Sequence, residues 1–185
     1  MSKIKVGIIG TGSISHLHIQ GYLKNPDVEL YALCDINEER VKAAGEKYKV
    51  SRIYTDMNEM LKLEELDAVS VCTWNSAHAP CSIAALKAGK HVICEKPMAM
   101  NAEEARAMKK AADEAGKLLM IGFVRRFGND ANIIKDYQST DFLGDIYYAK
   151  ATYLRRKGNP GGWFGDKARS GGCLLYTSPS PRDTR

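Results

Sequence analysis

The residues that could do chemistry begin with a lysine that directly follows a short apolar run. Residues 92–94 form the run, and Glu95, Lys96 and Pro97 come after it. This pattern predicts a buried strand with a lysine at its carboxyl end, where open α/β sheets bind their ligands. An ammonium beside a substrate hydroxyl stabilises a developing alkoxide, so Lys96 is the candidate catalytic residue. A surface lysine at a strand end is the alternative.

The two neighbours of Lys96 have expected roles of their own. Glu95 either orients Lys96 or contacts the nicotinamide ribose of a cofactor. Pro97 fixes the exit of the chain, and a cis Lys96–Pro97 bond is conceivable because prolyl bonds tolerate that isomer.

A glycine-rich turn near the amino terminus could bind phosphate. Gly10, Thr11 and Gly12 follow the apolar run 4–9 and open a helical pattern. Gly10 permits a tight turn, and Gly12 lets the backbone approach a pyrophosphate at the helix amino terminus. Ser15 replaces the third glycine of the full fingerprint and is small enough for close packing. An ordinary strand–helix turn is the alternative.

Asp35 strengthens the nucleotide interpretation. It ends the second apolar run, 23 positions after Gly12. A carboxylate there accepts hydrogen bonds from ribose hydroxyls and repels a 2′-phosphate, which favours NAD over NADP. The first basic residue that follows is Arg40, which weakens an NADP interpretation. Asp35 could also cap the helix that starts at Glu38, and the two roles can coexist.

More candidate side chains follow the apolar run 68–72. Thr73, Trp74 and Asn75 come directly after it, and His78 lies at the start of the next helical pattern. Asn75 could hydrogen-bond a ribose or cap that helix. A helix amino terminus disfavours a cationic imidazole, so we expect His78 to be neutral and structural.

The elements that must position these residues alternate along the first two thirds of the chain. Near-continuous apolar runs separated by helical patterns predict a parallel sheet covered on both faces, with right-handed crossovers. Asn101 with Glu104 predicts a helix start, and Gly116 predicts its end. The predicted strands are 4–9, 30–34, 68–72, 92–94 and 118–121.

The pattern changes after Phe123. Residues 131–138 predict a helix, residues 146–154 predict a longer strand of an antiparallel sheet with one open face, and residues 158–165 predict a loop. The pattern therefore predicts a doubly wound parallel α/β sheet, followed by a segment of different, antiparallel character.

Composition excludes several classes of function. The net charge is +5, but acidic and basic residues are interspersed, so we expect no nucleic-acid partner. No apolar run is long enough for a bilayer and no signal peptide is recognisable. Five cysteines lack metal-type spacing, which favours free thiols in a cytoplasmic protein. His16 and His18 are two apart on a predicted helix and face different directions, so we expect no metal site.

Residues 173–185 do not continue any pattern of the preceding sequence. Two prolines exclude a regular helix or central strand, and the segment resembles a sequencing adapter translated in frame. We expect a non-native tail; a native disordered tail is the alternative.

Together these residues resemble the Gfo/Idh/MocA family of NAD(P)-dependent oxidoreductases. The matching segments, between residues 3 and 172, include GIIGTGSISHLH, VICEKPMAMN, GFVRRF and GGWFGDKARSGG. The family usually has proline where Trp74 stands. The resemblance implies an NAD-binding Rossmann domain at 1–122 and, at 123–172, the truncated start of an α/β domain. In the family, that domain's large open, mostly antiparallel sheet lines the substrate pocket and often builds homodimers or homotetramers.

The resemblance also implies site residues and a reaction. Hydride would move between a secondary hydroxyl of a sugar or cyclitol and nicotinamide, with Lys96 as the catalytic lysine. An NAD-dependent glycosidase and a non-catalytic NAD sensor are the alternatives. The implied cofactor-binding residues are Gly10, Thr11, Gly12, Ser13, Ile14, Asp35, Thr73, Trp74, Asn75, His78, Glu95, Lys96, Pro97, Arg125 (or Arg126) and Trp163.

The family pattern breaks off after Gly172. Relatives continue into a helix that carries an aspartate and, four residues later, the histidine that acts as general base. Those positions fall near Thr177 and Pro181, neither of which can serve as that base. We therefore expect an amino-terminal gene fragment that binds cofactor at best.

Overall fold

The computed structural model describes residues 2–150, 152 and 161–171. Six parallel strands form one sheet in the order β3-β2-β1-β4-β5-β6. This is the doubly wound order, in which the chain reverses direction across the sheet between β1 and β4. The strands are β1 (Ile4–Ile9), β2 (Val28–Cys34), β3 (Ile53–Tyr54), β4 (Ala68–Val71), β5 (His91–Cys94) and β6 (Leu119–Ile121).

Helices connect the strands, and further helices follow the last strand. Two short 3₁₀ helices, Val124–Phe127 and Gly162–Gly165, lie after the sheet. No helix within the described ranges is both long and apolar enough to cross a membrane. The α-helices are α1 (Ser15–Lys24), α2 (Glu38–Tyr48), α3 (Met57–Leu61), α4 (Asn75–Lys87), α5 (Ala102–Ala115), α6 (Asn129–Ser139) and α7 (Lys167–Ser170).

The sheet is covered on both faces because neighbouring residues of a strand point in opposite directions. Ile8 packs with Ile19 of α1 and Val41 of α2 in one core cluster. Ile9 belongs to the other cluster, with Leu86 of α4 among its members. The predicted two-sided parallel sheet is confirmed.

Local signals fixed the ends of several helices. Asn101 caps α5, since its Oδ1 accepts the Glu104 N–H at 2.9 Å, and Gly116 ends the helix in the left-handed region at φ 62°. Asn37, rather than Asp35, caps α2 through a 2.8 Å bond from the Arg40 N–H. The capping role suggested for Asp35 is therefore wrong, because its carboxylate has other partners.

The chain after β6 departs from the sequence prediction. Helix α6 confirms the helix expected at 131–138, but residues 146–150 form no strand. A strand needs a hydrogen-bonded neighbour, and the described part of the chain places none beside these residues. Residues 151, 153 and 154 lie outside the described residues. The loop expected at 158–165 contains the Gly162–Gly165 3₁₀ helix, and residues 158–160 are likewise not described.

Candidate functional site

A cleft of about 820 Å³ runs across the carboxyl ends of the strands. Segments that follow β1, β2, β3, β4 and β5 line it, together with the segment 161–171. Its volume lies within the range of small-molecule and cofactor sites. Its position outside the strand ends, spanning the point where the strand order reverses, is where doubly wound sheets bind their ligands.

The turn between β1 and α1 forms the middle of the cleft. Gly10 has φ +91°, and a Cβ there would lie 2.8 Å from the Cys72 carbonyl oxygen. The turn can therefore pass the end of β4 only with glycine. A Cβ on Gly12 would meet no protein atom within 4 Å, yet Gly12 lines the cleft, so any side chain there would take up ligand space.

Helix α1 begins at this turn with donors available for a ligand. No side chain caps its first turn, which leaves backbone N–H groups at the positive end of the helix dipole. Ser15 is fully buried and its hydroxyl donates to the Gly12 carbonyl oxygen at 2.6 Å. The small side chain thus fits between helix and sheet, as its place in the fingerprint predicts.

Asp35 is a buried carboxylate held at the end of β2. Its Oδ2 accepts the Thr11 N–H at 2.8 Å and the Thr11 hydroxyl at 3.0 Å, while its Oδ1 accepts the Asn37 N–H at 2.9 Å. The Arg40 guanidinium lies 3.4 Å from Oδ2. Asp35 and Arg40 both line the cleft, so a negative and a positive side chain stand together at this end.

The corner between β4 and α4 contacts the segment that contains α7. Asn75 neither caps α4 nor lies free; its Nδ2 donates to the Ser170 carbonyl oxygen at 2.7 Å. Nearby, the Arg169 guanidinium lies over the Trp74 ring, 5.1 Å from its centroid. These contacts hold α7 against α4 at the wall of the cleft.

His78 bridges two carbonyl groups at the wall of the cleft. Its Nδ1 lies 2.6 Å from the Pro97 oxygen and its Nε2 lies 3.2 Å from the Thr73 oxygen. Burial lowers the pKa of His78, although both carbonyl contacts oppose this shift. The neutral, structural role predicted for His78 agrees with this direction.

Glu95 and Lys96 stand at the end of β5, across the β1 turn from Asp35. Burial alone would raise the pKa of the Glu95 carboxyl, but a hydrogen bond and charge from His18, with help from Lys96, hold it below its usual value. Its Oε1 lies 2.9 Å from His18 Nε2, and its Oε2 accepts the Lys96 N–H at 3.2 Å. The Lys96–Pro97 bond is cis.

The structure brings most of the candidate residues into one cleft. Thr11 is buried behind the cleft and binds Asp35, while Pro97 contributes its carbonyl to His78. Arg125 is exposed in the 3₁₀ helix after the edge strand and does not line the cleft, so its contact with a cofactor stays a prediction. The candidates that line the cleft are Gly10, Gly12, Ser13, Ile14, Asp35, Thr73, Trp74, Asn75, His78, Glu95, Lys96 and Trp163.

Sequence analysis did not predict several of the residues that line the cleft. Residues 55–58 follow β3, a strand of two residues that carries almost no periodic signal. Phe164 and Arg169 line the opposite side, and only their closeness to Trp163 along the chain could have suggested them. His18 reaches Glu95 across 77 positions, a contact that no local pattern reports.

The arrangement fits a dinucleotide. An uncapped helix start beside an open glycine suits a pyrophosphate, a buried carboxylate at the end of β2 suits a ribose, and a lysine stands at the far end. Across the described part of the chain, no group of three or more His, Cys, Asp or Glu side chains could hold a metal.

Comparisons with known proteins agree with this geometry. A model of the GFO_IDH_MocA family, an oxidoreductase family with an NAD-binding Rossmann fold, matches residues 4–123. D-glucoside 3-dehydrogenase of Escherichia coli K12 is 39% identical over 176 residues, which cover 94% of this chain and 50% of that protein.

Solved structures show the same likeness. The crystal structure of an NAD-binding protein from Listeria innocua matches 94% of this chain and 51% of its own, with TM-score 0.85 and 32% identity. The scyllo-inositol dehydrogenase of Lactobacillus casei, solved with NAD(H) and scyllo-inositol, matches 78% of this chain and 43% of its own, with TM-score 0.74 and 26% identity. The chain spans about half the length of these proteins.

Proposed function

Because this chain belongs to the Gfo/Idh/MocA oxidoreductase family, we propose that it supplies the cofactor site and the catalytic lysine of an NAD-dependent dehydrogenase. The substrate class is a sugar or cyclitol with a secondary hydroxyl. The observation that carries the proposal is the single cleft that contains the glycine turn, Asp35 and Lys96. Support for the substrate class comes from the glucoside and inositol dehydrogenases that this chain resembles.

Each part of the cleft has its own role in the proposed reaction. The β1–α1 turn, with Gly12 and the N–H groups of α1, holds the pyrophosphate, and Asp35 accepts the ribose hydroxyls. When bound, NAD supplies the hydride acceptor. Lys96 donates a hydrogen bond to the substrate oxygen and stabilises negative charge that develops there. Glu95 fixes the backbone of Lys96 at the place where this happens.

Cofactor binding is tested with two matched glycines of this chain. A Cβ at Gly12 or at Gly21 meets no protein atom within 4 Å, but only Gly12 lines the cleft. Gly12→Ala should therefore weaken NAD binding at least tenfold, about 1.4 kcal/mol, in a calorimetric titration. Gly21→Ala lies within α1, so it should leave NAD affinity unchanged and raise stability by up to about 1 kcal/mol. Equal effects on affinity would contradict the assigned phosphate site.

The chemical role of Lys96 is tested in a protein of the relatives' full length that begins with residues 1–172 of this chain. Lys96→Met keeps most of the unbranched side chain without the ammonium, and we expect kcat for NADH formation from a glucoside or an inositol to fall about 10²–10⁴-fold. Lys87→Met, at the exposed end of α4, is the control and should keep its activity. Unchanged kcat in Lys96→Met would refute the catalytic assignment.

The remaining parts of the proposal concern the whole protein. We propose that residues 1–122 form the NAD-binding domain, that residues 123–172 begin the substrate and oligomerisation domain, and that 173–185 are not native. The assembly is a homodimer or homotetramer, on the strength of the family resemblance. A cytoplasmic location is supported by four buried free cysteines, Cys34, Cys72, Cys81 and Cys94, because such thiols persist in reducing compartments.

A further inference from the structure

A chain of polar side chains lies behind Glu95, on the side away from the cleft. Tyr22 of α1 lies 2.6 Å, hydroxyl to hydroxyl, from Ser70 of β4. The Ser70 hydroxyl lies 3.2 Å from His18 Nδ1, and His18 Nε2 lies 2.9 Å from Glu95 Oε1. Glu95 lines the cleft, whereas His18, Ser70 and Tyr22 do not, so Glu95 is the member of this network that faces the cleft.

The contacts place one hydrogen of this network, the one between His18 and Glu95. An ionised carboxylate only accepts, so the proton between His18 and Glu95 belongs to His18 Nε2. At the other ring nitrogen, Nδ1 pairs with the Ser70 hydroxyl, which also pairs with the Tyr22 hydroxyl. The proton on Nε2 is assigned from the hydrogen-bond network.

The side chains of this hydrogen-bond network are buried, so the loss of a contact is costly. Ser70 is fully buried in the middle of β4, and the Glu95 and His18 side chains are 7% and 13% exposed. A buried charge without a partner is costly, so Glu95 depends on the donor that His18 provides. On the other side, a Cβ added to Gly122 would lie 3.2 Å from Glu95 Oε1, which leaves the carboxylate little room to turn.

We propose that His18 is a positioning residue for the reaction: it fixes the Glu95 carboxylate, whose second oxygen fixes the backbone of Lys96. This inference rests on the proposed function, because it assigns His18 to the same lysine. The link is direct, since Glu95 Oε1 meets His18 and Oε2 accepts the Lys96 N–H. Without the donor on α1, the carboxylate loses its orientation and Lys96 loses its anchor.

Several other titratable groups face Glu95 and enter the test. Cys72 of β4, Cys94 of β5, His78 of α4 and Lys96 all interact with its charge. Burial raises the pKa of both thiols and lowers the pKa of His78, so these three groups are neutral at pH 7. His18 and Lys96 are then the groups that can stabilise the carboxylate.

The first measurement follows the Glu95 carboxyl by carbon NMR as pH is varied, with Glu95→Gln used to assign the signal. In His18→Leu, burial is no longer opposed by the His18 donor, so the Glu95 pKa should rise. In His18→Gln the side-chain amide can still donate, so a low pKa should be largely restored. His16→Leu is the control, because His16 bonds Tyr48 instead, at 2.6 Å.

The second measurement is steady-state kinetics in the protein of the relatives' full length. His18→Leu should lower kcat about 10–100-fold with little change in KM for the substrate, because a reacting group displaced by about 1 Å can cost that much. His18→Gln should recover most of the loss, and His16→Leu should lose none.

Failure of this inference is separable from failure of the proposed function. An unchanged Glu95 titration in His18→Leu, or an equal loss of kcat in the His18→Leu and His16→Leu variants, would overturn the role of His18. Retained activity in Lys96→Met would instead overturn the proposed function, and the Glu95 titration would still decide whether His18 holds the carboxylate.

Discussion

Asp35, the carboxylate proposed to bind a ribose, is oriented by hydrogen bonds from the protein itself. Three donors from Thr11 and Asn37 hold both of its oxygens, and the side chain is only 4% exposed. A carboxylate that is already oriented needs little reorganisation on binding. The adjacent Arg40 adds a positive charge at the same end of the cleft, so under the proposed function the choice of cofactor depends on the balance between two opposite charges.

That balance predicts the effect of removing the carboxylate. Asp35→Ser should shift the ratio of NAD to NADP affinity at least tenfold toward NADP, about 1.4 kcal/mol, because the repulsion of a 2′-phosphate disappears while Arg40 remains. Adding Arg40→Gln should cancel most of this gain. Calorimetric titration of each variant with both cofactors provides the ratios, and a wild-type ratio in Asp35→Ser would disprove the assignment.

At the scale of elements, the contact between α4 and α7 decides how the cleft is closed on one side. Helix α7 has only four residues, too few to be stable alone. Its place depends on the bond from Asn75 to the Ser170 carbonyl and on Arg169 over Trp74. Trp163 and Phe164, stacked with ring centroids 4.0 Å apart, come to the cleft with it.

Loss of the Asn75 bond should release this segment. In Asn75→Ala we expect tryptic cleavage after Lys167 and Arg169 to accelerate about fivefold, because one hydrogen bond contributes about 1 kcal/mol. The cleavage rate is proportional to the fraction of molecules in which this segment has detached. Mass spectrometry of a timed digest measures the rates. Asn58→Ala, a lining residue on α3, should show no acceleration at these sites; if it matches Asn75→Ala, the tether does not exist.

Element boundaries also show where local patterns suffice. Asn101 and Gly116 predicted both ends of α5 because a cap is made within four residues of the chain. The two-residue β3 was missed because it is too short to show a period. The strand predicted from residue 146 was wrong over 146–150, because alternation alone does not supply the neighbour that a strand requires.

At the scale of the whole molecule, buried ionisable groups make stability depend on pH. His78 is 1% exposed and burial lowers its pKa below the ordinary 6.5. The unfolded chain therefore binds a proton at a higher pH than the folded chain does. The stability that goes with the neutral ring is complete above pH 6.5 and is lost progressively as pH falls below it.

Thermal melting between pH 7.5 and 5 checks this linkage. The melting temperature should fall with pH, by about 2–4 °C for each kcal/mol of stability lost in a protein of this size. His78→Gln should flatten the slope below pH 6.5, and His16→Gln should leave it as in the wild type. A wild-type slope in His78→Gln would show that the imidazole does not carry the effect.

The sequence alone determined the alternation of strands and helices and the residue types at the strand ends. Both follow from apolar periodicity and from turn chemistry within a few residues, and they were enough to point to Gly12, Asp35 and Lys96. Only the tertiary structure decided that these residues share one cleft, that Asn75 reaches Ser170, and that His18 bonds Glu95. The physical reason is that such contacts join groups 77 to 95 positions apart, and only the packing of the sheet and its helices sets the distances between them.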